Sequence, residues 1–120
     1  MKTLLIVDDE VKICLLLSRF FESRGLRTLT ANSGNEALKT LDADHPDYLL
    51  LDIRMPDMSG LDVLRAAKQH HPDVNVVMLT ALNDAELAKA AFRLGASDYL
   101  TKPFGWGDQE LARVFFTPAN

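Results

Sequence analysis

The strongest constraint on the fold is a run of aliphatic residues that ends abruptly in an acid. Leu49, Leu50 and Leu51 have no polar break between them, and Asp52 follows at once. Such a run is typical of a strand buried on both faces of a parallel sheet. Chemistry in open α/β sheets takes place just beyond the carboxyl ends of the strands, where Asp52 would lie. By itself the pattern is equally consistent with an aspartate that caps a turn or the next helix.

Length and composition fit one compact domain. The chain has 120 residues, of which 48% are hydrophobic, enough for a core of its own. No apolar run approaches the roughly 20 residues of a membrane span, so no membrane contact is expected. The formal net charge of −4 argues against nucleic-acid binding by this domain. The single cysteine, Cys14, excludes an internal disulfide and suits a reducing compartment, so we expect a cytoplasmic protein.

Strand-like and helix-like segments alternate five times along the chain, which predicts a parallel sheet with helices on both faces. The polar second strand and the short fifth strand suit the two edges of the sheet. This gives the strand order 2-1-3-4-5 of a flavodoxin-like, doubly wound α/β fold with five helices. The strands are expected within residues 3–7, 27–31, 48–51, 74–79 and 97–100, and the helices near 11–24, 33–41, 60–70, 83–94 and 108–115.

That strand order brings several polar side chains to one rim of the sheet. Asp8 and Asp9 follow the first strand, Asp52 the third, Thr80 the fourth and Lys102 the fifth. Three carboxylates held together repel one another unless a cation lies among them. Oxygen ligands without histidine or cysteine favour Mg²⁺, with Mn²⁺ as the alternative. A lysine and a threonine on the same rim suit a phosphoryl group, through a point charge and a hydroxyl donor.

Five sequence blocks, taken together, resemble the receiver domain of two-component response regulators. They are VDDE at 7–10, LDIRMPDMSG at 51–60, LTA at 79–81, GASDYL at 95–100 and KPF at 102–104. Their common order and spacing make the resemblance specific, although each block alone is a weak signal. The resemblance implies a receiver domain over residues 1–120, either short in itself or the N-terminal part of a longer regulator.

The resemblance also implies a role for each residue of the rim. Asp52 would accept a phosphoryl group from the phosphohistidine of a sensor histidine kinase or a phosphotransfer protein. Asp9 and Asp52 would ligate Mg²⁺ together with the backbone carbonyl of Arg54, while Asp8 would act through water. Lys102 would pair with the phosphoryl group. The protein would then be a phosphoacceptor that assists its own phosphotransfer and dephosphorylation, and not an enzyme with a separate substrate.

A conformational switch is implied as well. Thr80 would be drawn toward the phosphoryl group, and Tyr99 would swing inward into the vacated space. The change would alter the surface of the fourth helix, the fifth strand and the fifth helix, which would bind a partner or form a homodimer. The Lys102–Pro103 peptide bond would be cis.

Three other functions compete with this one. A phosphatase of the haloacid dehalogenase type would need an Asp-x-Asp pair after the first strand, but the acids here are adjacent. A flavin-binding module would need a phosphate-binding loop where this chain has three acids. A receiver that acts as a protein-interaction module without phosphorylation stays open.

Three further interpretations concern residues around the rim. Arg54 and Leu82 lie two residues after Asp52 and Thr80, and neither would position an attacking water, so the phosphoryl group is expected to be long-lived. Asp57 is interpreted as a loop acid and nothing more. Cys14 is interpreted as a packing residue of the first helix.

Overall fold

The computed structural model describes residues 1–81 and 85–102, apart from the side chains of Ala81 and Lys102. Strands and helices alternate throughout this part of the chain. The elements are β1 (Thr3–Val7), α1 (Val11–Ser23), β2 (Arg27–Ala31), α2 (Gly34–Asp44), β3 (Tyr48–Asp52), α3 (Gly60–His70), β4 (Asn75–Ala81), α4 (Ala85–Arg93) and β5 (Asp98–Lys102). The described residues thus contain four of the five predicted helices. The fifth helix, Leu82 and the Lys102–Pro103 bond lie outside them.

The strands form one parallel sheet in the order β2-β1-β3-β4-β5, which confirms the predicted topology. Val7 pairs with Ala31 on one side and with Leu51 on the other, and Thr80 pairs with Thr101. The carboxyl ends of the strands therefore lie close together at one end of the sheet.

Side chains that alternate along each strand supply two hydrophobic layers, one on each face of the sheet. From β1, Leu4 and Ile6 enter the cluster that also contains Phe21 of α1. Leu5 and Val7 enter the opposite cluster, to which α2, α3 and α4 contribute. The helical residues of that second cluster include Ala37, Leu41, Val63, Leu64, Ala67 and Ala91.

Local sequence signals explain most of the helix boundaries. The Oγ atoms of Ser33 and Ser59 accept hydrogen bonds from backbone N–H groups at the start of α2 and α3, each at 3.1 Å. Gly25, with φ of 92°, follows α1 in a conformation that favours glycine.

Several boundaries differ from the prediction by one to three residues, and two of them have a clear physical reason. Helix α2 continues past Leu41 to Asp44, because its end is set by Pro46, which cannot continue a helix and disfavours helical geometry in the residue before it. That residue, His45, has φ of 47°. Strand β5 continues past Leu100 to Lys102, because Thr101 and Lys102 pair with β4.

Candidate functional site

The predicted rim lies at the carboxyl ends of the central strands. Since Val7 is aligned with Leu51, Asp8 leaves β1 beside Asp52 at the end of β3. Asp52 pairs with Leu79 of β4, directly before Thr80. The exposed fractions are 0% for Asp8, 7% for Asp52 and 3% for Thr80, and no other polar side chain in the described ranges is buried to this degree. Burial of these three groups in one place, where each costs desolvation energy, marks the rim as a candidate site.

The backbone around Asp8 is held from three directions. Its N–H group donates to the carbonyl oxygen of Ala31 at 3.1 Å. Its own carbonyl accepts from the side-chain amide of Asn32 at 2.9 Å and from the thiol of Cys14 at 3.4 Å. Its carboxylate accepts the N–H of Glu10 at 2.9 Å. Asn32 was missed in the sequence, where the only signal was a polar residue directly after an edge strand.

Cys14 is a core residue, as predicted, with an exposed fraction of 2%. Burial, and after it the charge of Asp8, raise the pKa of the Cys14 thiol to about 11. The thiol therefore stays protonated near neutral pH, and it is not a reactive group of the site.

The acids that follow β1 form a compact group of possible metal ligands. One carboxylate oxygen from each of Asp8, Asp9 and Glu10 lies within 4.8 Å of the other two, and this is the one such group among the residues described. Asp9 and Glu10 are exposed. A donor set made only of carboxylate oxygens fits Mg²⁺. Asp52, a predicted ligand, is not a member of this group, while Glu10, which received no role, is.

The loop after β3 folds back tightly over Asp52. Oδ1 of Asp52 accepts the N–H of Arg54 at 3.3 Å. The N–H of Gly60 donates to the carbonyl of Ile53 at 2.7 Å, and Arg54 and Ser59 form a short antiparallel bridge. A Cβ atom on Gly60 would lie 2.2 Å from the carbonyl oxygen of Asp52. Glycine is therefore required where the backbone closes on the phosphoacceptor candidate.

The interpretation of Asp57 as a loop acid without a role was wrong. Its Oδ1 and Oδ2 atoms accept the backbone N–H groups of Gly34 and Asn35, each at 2.9 Å. These are the first residues of α2, whose N–H groups have no partner within the helix. The donors from Asn35 and Gly34 lower the pKa of the Asp57 carboxyl below its usual range. The loop and α2 are far apart in sequence, so only the predicted topology could have suggested the contact.

The remaining predicted residues lie on β4 and β5. Thr80 is buried, and Tyr99 is 38% exposed with its ring edge-to-face against Phe92, the ring centres 5.6 Å apart. The backbone of Lys102 pairs with Ala81 at the end of β5. The side chain of Lys102 lies outside the described part of the chain. None of the four helices described is long and apolar enough to cross a membrane.

Sequence comparison identifies relatives over nearly the whole chain. A family model described as "Response regulator receiver domain" matches residues 4–114. The DNA-binding transcriptional regulator NtrC of Klebsiella pneumoniae is 48% identical over 99 residues, which are 82% of this chain and 21% of that protein. The regulatory protein AtoC of Escherichia coli is 43% identical over 101 residues, 84% of this chain and 22% of AtoC. The chain thus spans about one fifth of the length of these relatives.

Solved structures share the fold as well. The receiver domain of NtrX from Brucella abortus superposes with a TM-score of 0.86 and 34% identity, over 92% of each chain. The chemotaxis protein CheY4 of Vibrio cholerae also gives a TM-score of 0.86, with 29% identity over 95% of this chain and 98% of that one.

Proposed function

Because the chain belongs to the response regulator receiver domain family, we propose that Asp52 accepts a phosphoryl group in a Mg²⁺-dependent reaction that switches a protein-interaction surface. The observation that carries the proposal is the burial of Asp52 beside Asp8 and Thr80 under the loop closed by Gly60. Burial of the Asp8 and Asp52 carboxylates costs desolvation energy. An aspartate that only caps a turn or a helix does not require this burial.

In the proposed reaction, a phosphoryl group passes from a histidine side chain of the donor to the side chain of Asp52. A carboxylate oxygen of Asp52 attacks the phosphorus of a phosphohistidine, a P–O bond forms, and the P–N bond breaks as the imidazole leaves. The product is an acyl phosphate on the protein itself, so the protein is a phosphoacceptor. The proposed donor is a sensor histidine kinase or a phosphotransfer protein, which would present its phosphohistidine to the rim.

A divalent metal is part of the proposal. Asp9, Asp52 and the backbone carbonyl of Arg54 would hold Mg²⁺ or Mn²⁺, with Asp8 acting through water. When bound, the metal supplies positive charge among crowded oxygen atoms. The compact carboxylate group at the end of β1 supports the presence of a cation on this rim, because such a group is stabilised by a cation.

The switch would connect the rim to α4 and β5. Lys102 would pair with the phosphoryl group, Thr80 would donate its hydroxyl to it, and Tyr99 would move inward. The exposed ring of Tyr99 packs on Phe92 of α4, so its movement would alter the surface shared by α4 and β5. This surface, with the segment that follows β5, would bind a partner or a second copy.

The DNA-binding function of the relatives is not carried over to this chain. NtrC is a DNA-binding regulator, but the matched region is 21% of its length, and the present chain carries a net charge of −4. DNA binding is therefore not proposed for residues 1–120. A cytoplasmic location is part of the proposal, because the free, buried thiol of Cys14 suits a reducing compartment.

The position of the phosphoryl group can be mapped directly. The protein is treated with acetyl phosphate and Mg²⁺ and then reduced with borohydride, which converts an aspartyl phosphate to homoserine. Peptide mass spectrometry should find homoserine at position 52. Asp62→Asn is the control, because it removes an exposed carboxylate in the first turn of α3 and should leave the modification at Asp52. Homoserine at another aspartate would overturn the assignment.

A further inference from the structure

We propose that Asp57 is a positioning residue: its bonds to α2 hold the loop 53–59 so that the Arg54 carbonyl stays on the rim beside Asp52. The inference rests on the proposed function, since it concerns the geometry of the same metal and phosphoryl site.

The loop is fixed at its base by the sheet and at its tip by α2. At the base, Ile53 donates to the carbonyl of Leu79 at 3.1 Å and accepts from Gly60 at 2.7 Å. At the tip, the carboxylate of Asp57 receives two N–H groups from α2. Arg54 lies between these two anchors along the chain, after Ile53 and before Asp57. The direction of its carbonyl group therefore depends on both anchors.

The two hydrogen bonds from α2 to Asp57 at the tip of the loop are stronger than hydrogen bonds between neutral groups. Gly34 and Asn35 lie at the N-terminus of α2, where the helix dipole is positive and the N–H groups have no partner within the helix. A carboxylate that accepts two such groups makes charge-assisted hydrogen bonds. Helix α2 itself is a firm anchor, because Ala37 and Leu41 are buried in the core at 0% and 1% exposure.

The residues that lead into α2 also contact the acids that follow β1. The side chain of Asn32 donates to the carbonyl of Asp8 at 2.9 Å, and three residues later the N–H of Asn35 donates to Asp57. Residues 32–35 therefore bridge the two loops that would supply the metal ligands, one after β1 and one after β3. We call this segment the α2 bridge. Removing the Asp57 carboxylate detaches the β3 loop from the α2 bridge and leaves Asp8 in place.

The expected consequence is weaker metal binding. Residues that orient metal ligands without touching the metal typically change metal affinity 10–100-fold when they are replaced. For Asp57→Ala we expect the Kd for Mg²⁺ to rise about tenfold, the low end of that range, because Asp52 and Asp9 are unchanged. The side-chain carbonyl of an asparagine at this position can accept one of the two N–H groups, so Asp57→Asn should lie between Asp57→Ala and wild type.

Mg²⁺ binding is measured by isothermal titration calorimetry on wild type, Asp57→Ala, Asp57→Asn and Asp62→Ala. Asp62 is the matched control: it is an exposed acid in the first turn of α3, and its ion pair is with Arg65 on the same helix. Its replacement removes the same charge and should leave the Kd for Mg²⁺ unchanged. The amide resonances of Gly34 and Asn35 provide a second readout. They should shift on addition of Mg²⁺ to wild type and show no such response in Asp57→Ala.

The possible results distinguish a failure of the role assigned to Asp57 from a failure of the proposed function. If wild type binds Mg²⁺ and both Asp57 variants bind it as Asp62→Ala does, the role of Asp57 is refuted and the proposed function stands. If wild type does not bind Mg²⁺ at all, the proposed metal site fails and the role of Asp57 fails with it. Circular dichroism of Asp57→Asn shows whether a loss of binding arises from unfolding, in which case Asp57 would be structural only.

Discussion

Gly60 is the residue at which the backbone of the site leaves no room for a side chain. A Cβ atom there would lie 2.2 Å from the carbonyl oxygen of Asp52 and 2.7 Å from Cα of Ile53. Both atoms belong to the main chain, so they cannot rotate away as a side chain would.

We therefore expect Gly60→Ala to destabilise the protein by about 1–3 kcal/mol, the usual cost of forced overpacking. Gly34→Ala is the comparison. Its Cβ would meet Cγ of Met58 at 2.2 Å, but Met58 is a flexible side chain that can move, so the cost should be smaller. Urea unfolding of the two variants measures the difference. Equal costs would show that the close approach at Gly60 is not a rigid one.

Cys14 gives a prediction about pH. Its thiol has a pKa raised from 9.0 to about 11 by burial and, secondarily, by the charge of Asp8. A raised folded-state pKa stabilises the folded protein below the pKa of the unfolded chain, and this contribution is lost as the pH rises through the folded value.

The stabilising contribution of Cys14 should therefore be complete below pH 9 and should decline between pH 9 and about 11. Lysine and tyrosine also titrate in this range, so the quantity to follow is the difference in unfolding free energy between wild type and Cys14→Ala. This difference should shrink as the pH rises. A difference that is constant across the range would contradict the assigned burial of the thiol.

Among the helices, α1 and α4 differ in what they bury. Helix α1 places Cys14, Leu17 and Phe21 in the core, whereas the buried side chains of α4 are alanines, Ala88 and Ala91. Alanine buries little apolar area, so α4 is held to the sheet by less hydrophobic stabilisation than α1.

Helix α4 should accordingly open at a lower free energy than α1. Native-state hydrogen exchange measures this: amides in the middle of α4 should lose protection through local opening, while those around Leu17 should exchange only with global unfolding. Leu17→Ala should lower the global stability by about 2–5 kcal/mol and leave the local opening of α4 unchanged. Equal protection in the two helices would mean that α4 is held by contacts other than its buried alanines.

Most elements could be predicted because their signals are local. Serine caps, a glycine after α1 and aliphatic runs for β1 and β3 depend on neighbouring residues only. The contacts that complete the site are different in kind. Asp57 meets Gly34 across 23 positions and Asn32 meets Asp8 across 24. Whether a loop acid meets the N-terminus of a distant helix depends on how α2 is placed over the sheet, which hydrophobic periodicity does not determine.

At the start of α2, the partner of the Glu36 side chain also could not be predicted from the local pattern. The Ser33 and Glu36 pattern predicts a capping box, and Ser33 does accept the N–H of Glu36. The carboxylate of Glu36, however, receives the N–H of Asn32 at 3.3 Å, one residue before the cap. The pattern identified the helix start, while the path of the chain before it determined which donor Glu36 reached.

Taken as a whole, the molecule forms its site by topology. The order β2-β1-β3-β4-β5 places the ends of β1, β3 and β4 side by side, and the residues that follow these strands meet there although they are distant in sequence. That convergence was predictable from the alternation of strands and helices. The Lys102 side chain is outside the described part of the chain. The pairing of this lysine with a phosphoryl group therefore stays a prediction.

The most direct test of the central proposal is the intact mass of the protein after incubation with acetyl phosphate, with and without Mg²⁺, beside Asp52→Asn. We predict the gain of one phosphoryl group that requires both the metal and Asp52. No gain under any condition, or an equal gain in Asp52→Asn, would contradict the account. The first of these results would favour a receiver that acts without phosphorylation.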